Sequence, residues 1–307
     1  MKLTRDNATP VPGTRFIDPQ VLTRLGSLEL VAKTVVAGFI SGLHRAPYLG
    51  LSSDFAEHRA YMPGDDVRRI DWRVYGRTDR LFVREYQAET NANLSIVLDV
   101  SKSMAFRSGG ISKLDYGRFL AASIGYLSLQ QRDRVGLITF DEDLLAMVPP
   151  SAKHFDRVLH ELDVAVPARA GEFSKPLATI ARTLRRRGIV ALISDLYVEP
   201  GQLLDALTEL RYRGHDVLVF HILDPDEVAL PAGDARQFED MENGLRLPIV
   251  HEQMRETYAE AVHAHIETLY RRLGEQRMDY RFFDTSQPLD HALFEYLTER
   301  QHRMQVR

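Results

Sequence analysis

From Leu94 to Leu98 the chain reads Leu-Ser-Ile-Val-Leu, the composition of a strand covered on both faces. Apolar runs of the same kind return at 134–140, 189–193, 217–223 and 278–283. Between them the apolar positions take helical spacing, at 114–130, 153–162, 176–187, 202–212, 251–273 and 289–301. Asp141-Glu142-Asp143 makes a tight turn, after which 144–148 returns as an antiparallel edge strand that Pro149-Pro150 closes off. Pro176 suits the opening turn of its helix and Gly188 the stop. Strands alternating with helices predict an α/β fold, a doubly wound, mostly parallel six-stranded sheet over residues 90–307. In the favoured strand order the runs at 94–98 and 189–193 are neighbours at the switch point.

Residues 1–89 read as an N-terminal extension packed on that domain. Its first residues are polar and expected to fray; Asp18 is placed to cap a short helix ending near Leu25, and a second helix is predicted over 28–40. The stretch 61–84 packs acidic and basic residues around the only tryptophan, and 81–86 alternates like a strand. It reads either as a salt-bridged surface or as a docking element whose Trp72 packs against the α/β domain. Its interleaved acids argue against a nucleic-acid patch. Residues 224–244 are an acidic, irregular excursion with room for a short hairpin.

Composition narrows the function. The 307 residues carry a net charge of −4, which gives no electrostatic case for nucleic acid. The absence of cysteine excludes disulfides, thiolate catalysis and Cys-ligated metals. The apolar tract 28–43 contains Glu29 and Lys33 and is too short for a membrane span, and no signal-peptide layout opens the chain. A cytoplasmic location is expected.

The candidate chemistry sits at the ends of two strands. Asp99 ends the first, Ser101 and Ser103 follow at alternate positions, and Ser194-Asp195 ends the strand at 189–193. The carboxyl ends of strands at a switch point are where open α/β sheets bind ligands. Two carboxylates with several hydroxyls make a hard oxygen set suited to Mg²⁺ or Mn²⁺. A further hydroxyl is expected from the loop before Pro176, with Ser174 the nearest candidate and Thr179 a more distant one. The bland alternative is that Asp99 caps a turn. A second aspartate ending another apolar strand shifts the balance towards a site. Other chemistries find no footing. Ser101 stands where an aspartyl-phosphate phosphatase has its second carboxylate, and neither a phosphate-binding loop nor a Gly-x-Ser-x-Gly elbow is present. His251-Glu252 is followed by Arg255 where a zinc protease has its second histidine, and His263 and His265 do not share a helix face.

Asp99-Val100-Ser101-Lys102-Ser103 resembles the Asp-x-Ser-x-Ser signature of the metal-ion-dependent adhesion site of von Willebrand factor A domains, with Asp195 as the distal aspartate. The order of strands fits that type as well. Tyr61-Met62-Pro63-Gly64-Asp65-Asp66, with Arg68, Arg69, Ile70, Asp71 and Trp72, resembles the hallmark of the DUF58 family, whose members are commonly encoded beside MoxR-type AAA+ ATPases. The resemblance implies a binding module rather than an enzyme. It implies a Mg²⁺ or Mn²⁺ site of Asp99, Ser101, Ser103, Ser174 and Asp195, with an open position for a carboxylate of a client protein, and a MoxR-type ATPase as partner. The adhesion-site pattern has a threonine in its third loop; this chain offers Ser174, or the charge of Glu172, instead. The alternatives are a metal-dependent hydrolase or phosphatase on the same cluster and a scaffold with an empty site.

Overall fold

The computed structural model describes residues 19–43, 58–61, 72–84, 92–231, 236–239, 246–249, 252–289 and 293. Six strands form the central sheet: β3 (Asn93–Asp99), β4 (Arg134–Phe140), β5 (Leu144–Ser151), β6 (Ile189–Ser194), β7 (Asp216–Leu223) and β10 (Asp279–Asp284), in the order β10-β7-β6-β3-β4-β5. All neighbours are parallel except the edge pair β4–β5. After β5 the chain crosses back to the other side of β3, so β3 and β6 are adjacent and the switch point opens above their carboxyl ends. The expected six-stranded, doubly wound, mostly parallel sheet is the one observed.

Strand alternation divides the core between the two faces. Leu94, Ile96 and Leu98 of β3 point into one cluster with α4 (Lys113–Gln130) and α5 (Phe155–Val164), while Val97 joins α6 (Ser174–Thr183), α7 (Pro200–Tyr212) and α9 (Glu252–Glu275) on the other. α4 is buried nearly all round, which a helix resting on a sheet by one stripe would not be. Its outer side is covered by α2 (Leu28–Leu43), whose Val31, Ala32, Val35 and Val36 belong to the same core cluster. Leu22, the last residue of α1 (Pro19–Leu22), is buried there too, so the extension is packed on the domain through these two helices. A Cβ at Gly117 would lie 3.2 Å from Leu98 and 3.3 Å from Ile193, so its hydrogen lets α4 sit close over β3 and β6.

Several expectations are corrected. β5 does not stop at Pro149-Pro150; it runs to Ser151, which pairs with Val135. An edge strand keeps one row of amides out of the ladder and accommodates proline there. The register shifts between Val135 and Leu137, and a Cβ on Gly136 would lie 2.6 Å from the Val148 carbonyl oxygen. α6 begins at Ser174 and ends at Thr183, short of Gly188, because Leu184 leaves helical geometry and buries its side chain in the core. Trp72 is not the buried anchor expected. It opens a short helix, α3 (Trp72–Thr78), is 61% exposed, and meets only Tyr75 edge-on among described aromatic rings, at 6.0 Å. The acidic excursion contains α8 (Pro225–Val228) and the first strand of a hairpin, β8 (Arg236–Glu239), whose second strand, β9 (Arg246–Ile249), lies just past the expected bounds. Beside α3, β1 (His58–Ala60) pairs with β2 (Phe82–Arg84). Residues 62–71, which hold most of the Gly-Asp-Asp hallmark, lie outside the described residues. So does the closing helix expected over 289–301, apart from Leu289 and Leu293, both buried in the core.

Candidate functional site

Each of the five mutually parallel strands ends at an aspartate, and the neighbours of each carboxylate separate structural roles from candidate ones. Past β4, Asp141 accepts the Asp143 amide at 3.0 Å, and past β7 Asp224 caps α8 and ties down the Ser108 amide at 2.8 Å. At the end of β10, Asp284 takes the Ser286 amide at 2.8 Å. These three do turn and cap chemistry. The remaining two are Asp99 and Asp195.

Asp99 is 1% exposed. One oxygen accepts the Ser101 amide at 2.8 Å and the other the Ser194 hydroxyl at 2.6 Å. Both donors are neutral, and among the described residues no cation pairs with it. Burial, then the Asp195 charge, push its carboxyl up to about 7. A single 3-10 turn, Lys102–Ala105, follows and brings the Ser103 hydroxyl to 3.1 Å from that of Ser101. The Lys102 amide donates to the Arg169 carbonyl at 2.7 Å, which seats the loop before α6 against this turn.

Asp195 has a different companion. Its Oδ2 accepts from Lys113 Nζ at 2.7 Å, and the same ammonium donates to Glu227 Oε1 at 2.7 Å. Lys113 is fully buried, with the Tyr197 ring centroid 4.9 Å from Nζ. Burial alone would lower the lysine pKa, but the charges of Asp195 and Glu227 more than reverse that and hold it above its ordinary value. Burial pushes Glu227 up. Between Asp195 and Tyr197 the chain turns through Leu196 at φ 50°, a left-handed conformation that costs a branched residue roughly 1–3 kcal/mol. Leu196 is held there by its fully buried side chain and by its amide, which donates to Ser194 Oγ at 3.0 Å. Beneath the crevice, His221 is buried and its pKa is lowered by burial to about 3, so it adds no charge.

The structure therefore gathers Asp99, Ser101 and Ser103, and sets Asp195 close enough to act on Asp99 through its charge. Ser174 stands exposed at the first turn of α6, with no hydrogen bond to that group among the described residues. The Glu172 carboxylate is engaged in receiving the Ser174 and Lys175 amides at 2.8 and 2.9 Å, and Thr179 bonds back along its own helix. No three carboxylates or imidazoles are gathered around one metal position among the described residues. The arrangement is two carboxylates with hydroxyls, all oxygen donors, and the buried Asp99 without a cation of its own fits a hard divalent ion.

Lys113 and Glu227 were not among the expected site residues, yet each left a signal. Ser112 accepts the Asp115 amide as the cap of α4, so Lys113 occupies the first helical position, where the helix dipole disfavours a cation. Asp224-Pro225-Asp226-Glu227 spells a capping box, and Glu227 reaches back to the Asp224 amide at 2.9 Å.

Comparison with known proteins gives the family. The family described as protein of unknown function DUF58 matches residues 57–268. This chain belongs to the DUF58 family. An uncharacterized protein of Mycobacterium bovis is 31% identical over 254 residues, covering 81% of this chain and 80% of the relative. Among solved structures, an aerotolerance-related membrane protein from Bacteroides fragilis, crystallised with multiple mutations to serines, is similar, with a TM-score of 0.45 and 18% identity. That match covers 68% of this chain and 99% of the other. The von Willebrand factor A domain of SpRpn10 is similar with a TM-score of 0.39 and 11% identity over 66% of this chain and 94% of that one.

Proposed function

We propose that this chain is a metal-dependent protein–protein interaction module, an adaptor or chaperone-like partner of a MoxR-type AAA+ ATPase in the assembly or maturation of protein complexes, and not an enzyme. Asp99 carries the reading: a buried carboxylate hydrogen-bonded only by neutral donors, with two hydroxyls beside it and a second carboxylate raising its pKa. In this reading Asp99, Ser101, Ser103 and Asp195 hold Mg²⁺ or Mn²⁺, and Ser174 joins from the third loop. A bound divalent ion supplies an electrophilic position for a carboxylate of a client protein. The neutral donors Ser101 N–H and Ser194 O–H orient Asp99.

A hydrolase or phosphatase on the same cluster remains the alternative, and no separate observation favours it: no imidazole of a described residue hydrogen-bonds to Asp99 or Ser101. A cytoplasmic site of action and the absence of a nucleic-acid partner belong to the proposed reading. No described helix is long and apolar enough to cross a membrane. The test is binding of purified MoxR-type ATPase to immobilised protein in Mg²⁺ and in EDTA, for wild type and Asp99→Ala. The reading expects binding in Mg²⁺ that EDTA and the substitution both abolish. Equal recovery in all arms would remove the metal-bridged interaction.

A further inference from the structure

Asp195 and Glu227 share one buried ammonium, that of Lys113, and a third carboxylate, Asp99, lies close enough to Asp195 to feel its charge. Fully ionised, the group has a formal deficit of two charges. Lys113 bridges Asp195 and Glu227 at 2.7 Å each and is walled by the Tyr197 ring. The other Asp195 oxygen accepts no hydrogen bond from a described residue. A buried ion pair whose only task is packing could be replaced whole by apolar side chains at little or no loss of stability. Lys113 also sits against the dipole at the start of α4, in the crevice that the strand ends define.

We propose that Lys113 is a tethered counter-ion that shares Asp195 with the divalent cation and keeps the affinity for that cation low, so that the metal is exchangeable rather than permanent. The inference rests on the metal-binding reading of Asp99, Ser101 and Ser103. Its logic is electrostatic: a fixed positive charge bonded to a ligand carboxylate repels an incoming dication and withdraws electron density from that ligand. Glu227 acts in the opposite sense. It holds Lys113 in place and returns one negative charge to the cluster.

The experiment is a Mn²⁺ titration of the full chain, followed by electron paramagnetic resonance of free Mn²⁺, for wild type, Lys113→Met, Glu227→Gln and Asp99→Ala. Lys113→Met should bind Mn²⁺ roughly tenfold or more tightly than wild type, and Glu227→Gln several-fold more weakly. A residue that merely supports the structure would shift both variants in the same direction. Should Lys113→Met lose its cooperative melt in EDTA, melts in rising Mn²⁺ replace its titration, and recovery of a cooperative transition supports the proposal while failure to recover overturns it. Weaker or unchanged binding by Lys113→Met, or unchanged binding by Glu227→Gln, likewise overturns it. Binding that survives in Asp99→Ala, or is absent in every protein, removes the metal-binding reading itself and this inference with it. Loss confined to Asp99→Ala, with both other variants at the wild-type affinity, leaves that reading standing and refutes only the role of Lys113.

Discussion

Asp99 and Asp195 end neighbouring parallel strands, are almost equally buried, and yet live in opposite electrostatic settings. Asp195 is bonded to a buried ammonium; Asp99 has an amide and a hydroxyl. A charge inside a protein is tolerated when a counter-charge or several hydrogen bonds compensate for lost water. Asp195 meets that condition within the chain. Asp99 meets it only in part, which is why its carboxyl is pushed towards neutrality rather than below the usual range. The difference teaches that strand-end aspartates are not equivalent: one is paired with a buried ammonium of the chain, and the other has neutral donors only, the setting that the proposed cation would complete.

The largest effect expected from breaking this contrast is on the neutralised side. Lys113→Ala strands Asp195 and Glu227 without their cation, and breaking a buried pair from one end costs about 3–5 kcal/mol. Urea denaturation in EDTA should show that loss; a change below about 1 kcal/mol would mean that the pair is not formed. On the Asp99 side the sign reverses. A carboxyl at about 7 in the folded chain, against 3.8 in the unfolded one, keeps its proton longer when folded. Below both values the group has no differential effect, and as pH rises between them the folded state binds more protons and stability falls, by at most about 1.4 kcal/mol per pH unit. Metal-free wild type should therefore lose stability between roughly pH 4 and 7 relative to Asp99→Asn. The variant should be no less stable than wild type in EDTA at pH 7.5. Parallel profiles would show that Asp99 is an ordinary turn cap.

How far the contrast was legible beforehand follows from what each residue needs. The six strands of the sheet, the pairing of β3 with β6 and the positions of Asp99, Ser101, Ser103 and Asp195 could be read because apolar runs mark buried strands and a polar residue marks each end. Lys113 could not be placed from its own neighbourhood. It lies 82 residues from Asp195, and only the crossover that sets α4 above β6 brings them together. Leu196 gave no warning of its left-handed turn, since a leucine in a strand exit looks like core. The exposure of Trp72 is not legible because a lone tryptophan among arginines and aspartates suits a buried anchor and a helix start equally well. Ser174 is the nearest hydroxyl before Pro176, and sequence alone does not show that Glu172 accepts its amide.

Smaller substitutions sharpen the picture. Ser194 donates to Asp99 and receives the Leu196 amide, both buried, so Ser194→Ala should cost about 1–3 kcal/mol. The loss should be greater at pH 8 than at pH 5, because the donor favours the ionised carboxylate. An equal loss at both values, measured by denaturation, would detach the hydroxyl from the Asp99 charge. Ser174→Ala, at an exposed position, should change stability by no more than about 0.5 kcal/mol. Its Mn²⁺ affinity then reports whether the third loop joins the site: a clear fall brings it in, and no change leaves the ligands to the ends of β3 and β6.

The central claim is that the cation belongs at Asp99. Crystals grown in Mn²⁺ test it most directly, through an anomalous difference map at the manganese edge. The account predicts a peak within coordination distance of Asp99 and the Ser101 and Ser103 hydroxyls, with Lys113 still bonded to Asp195 or Glu227. Well-ordered strand ends with no peak there, or a peak only elsewhere on the molecule, would contradict it.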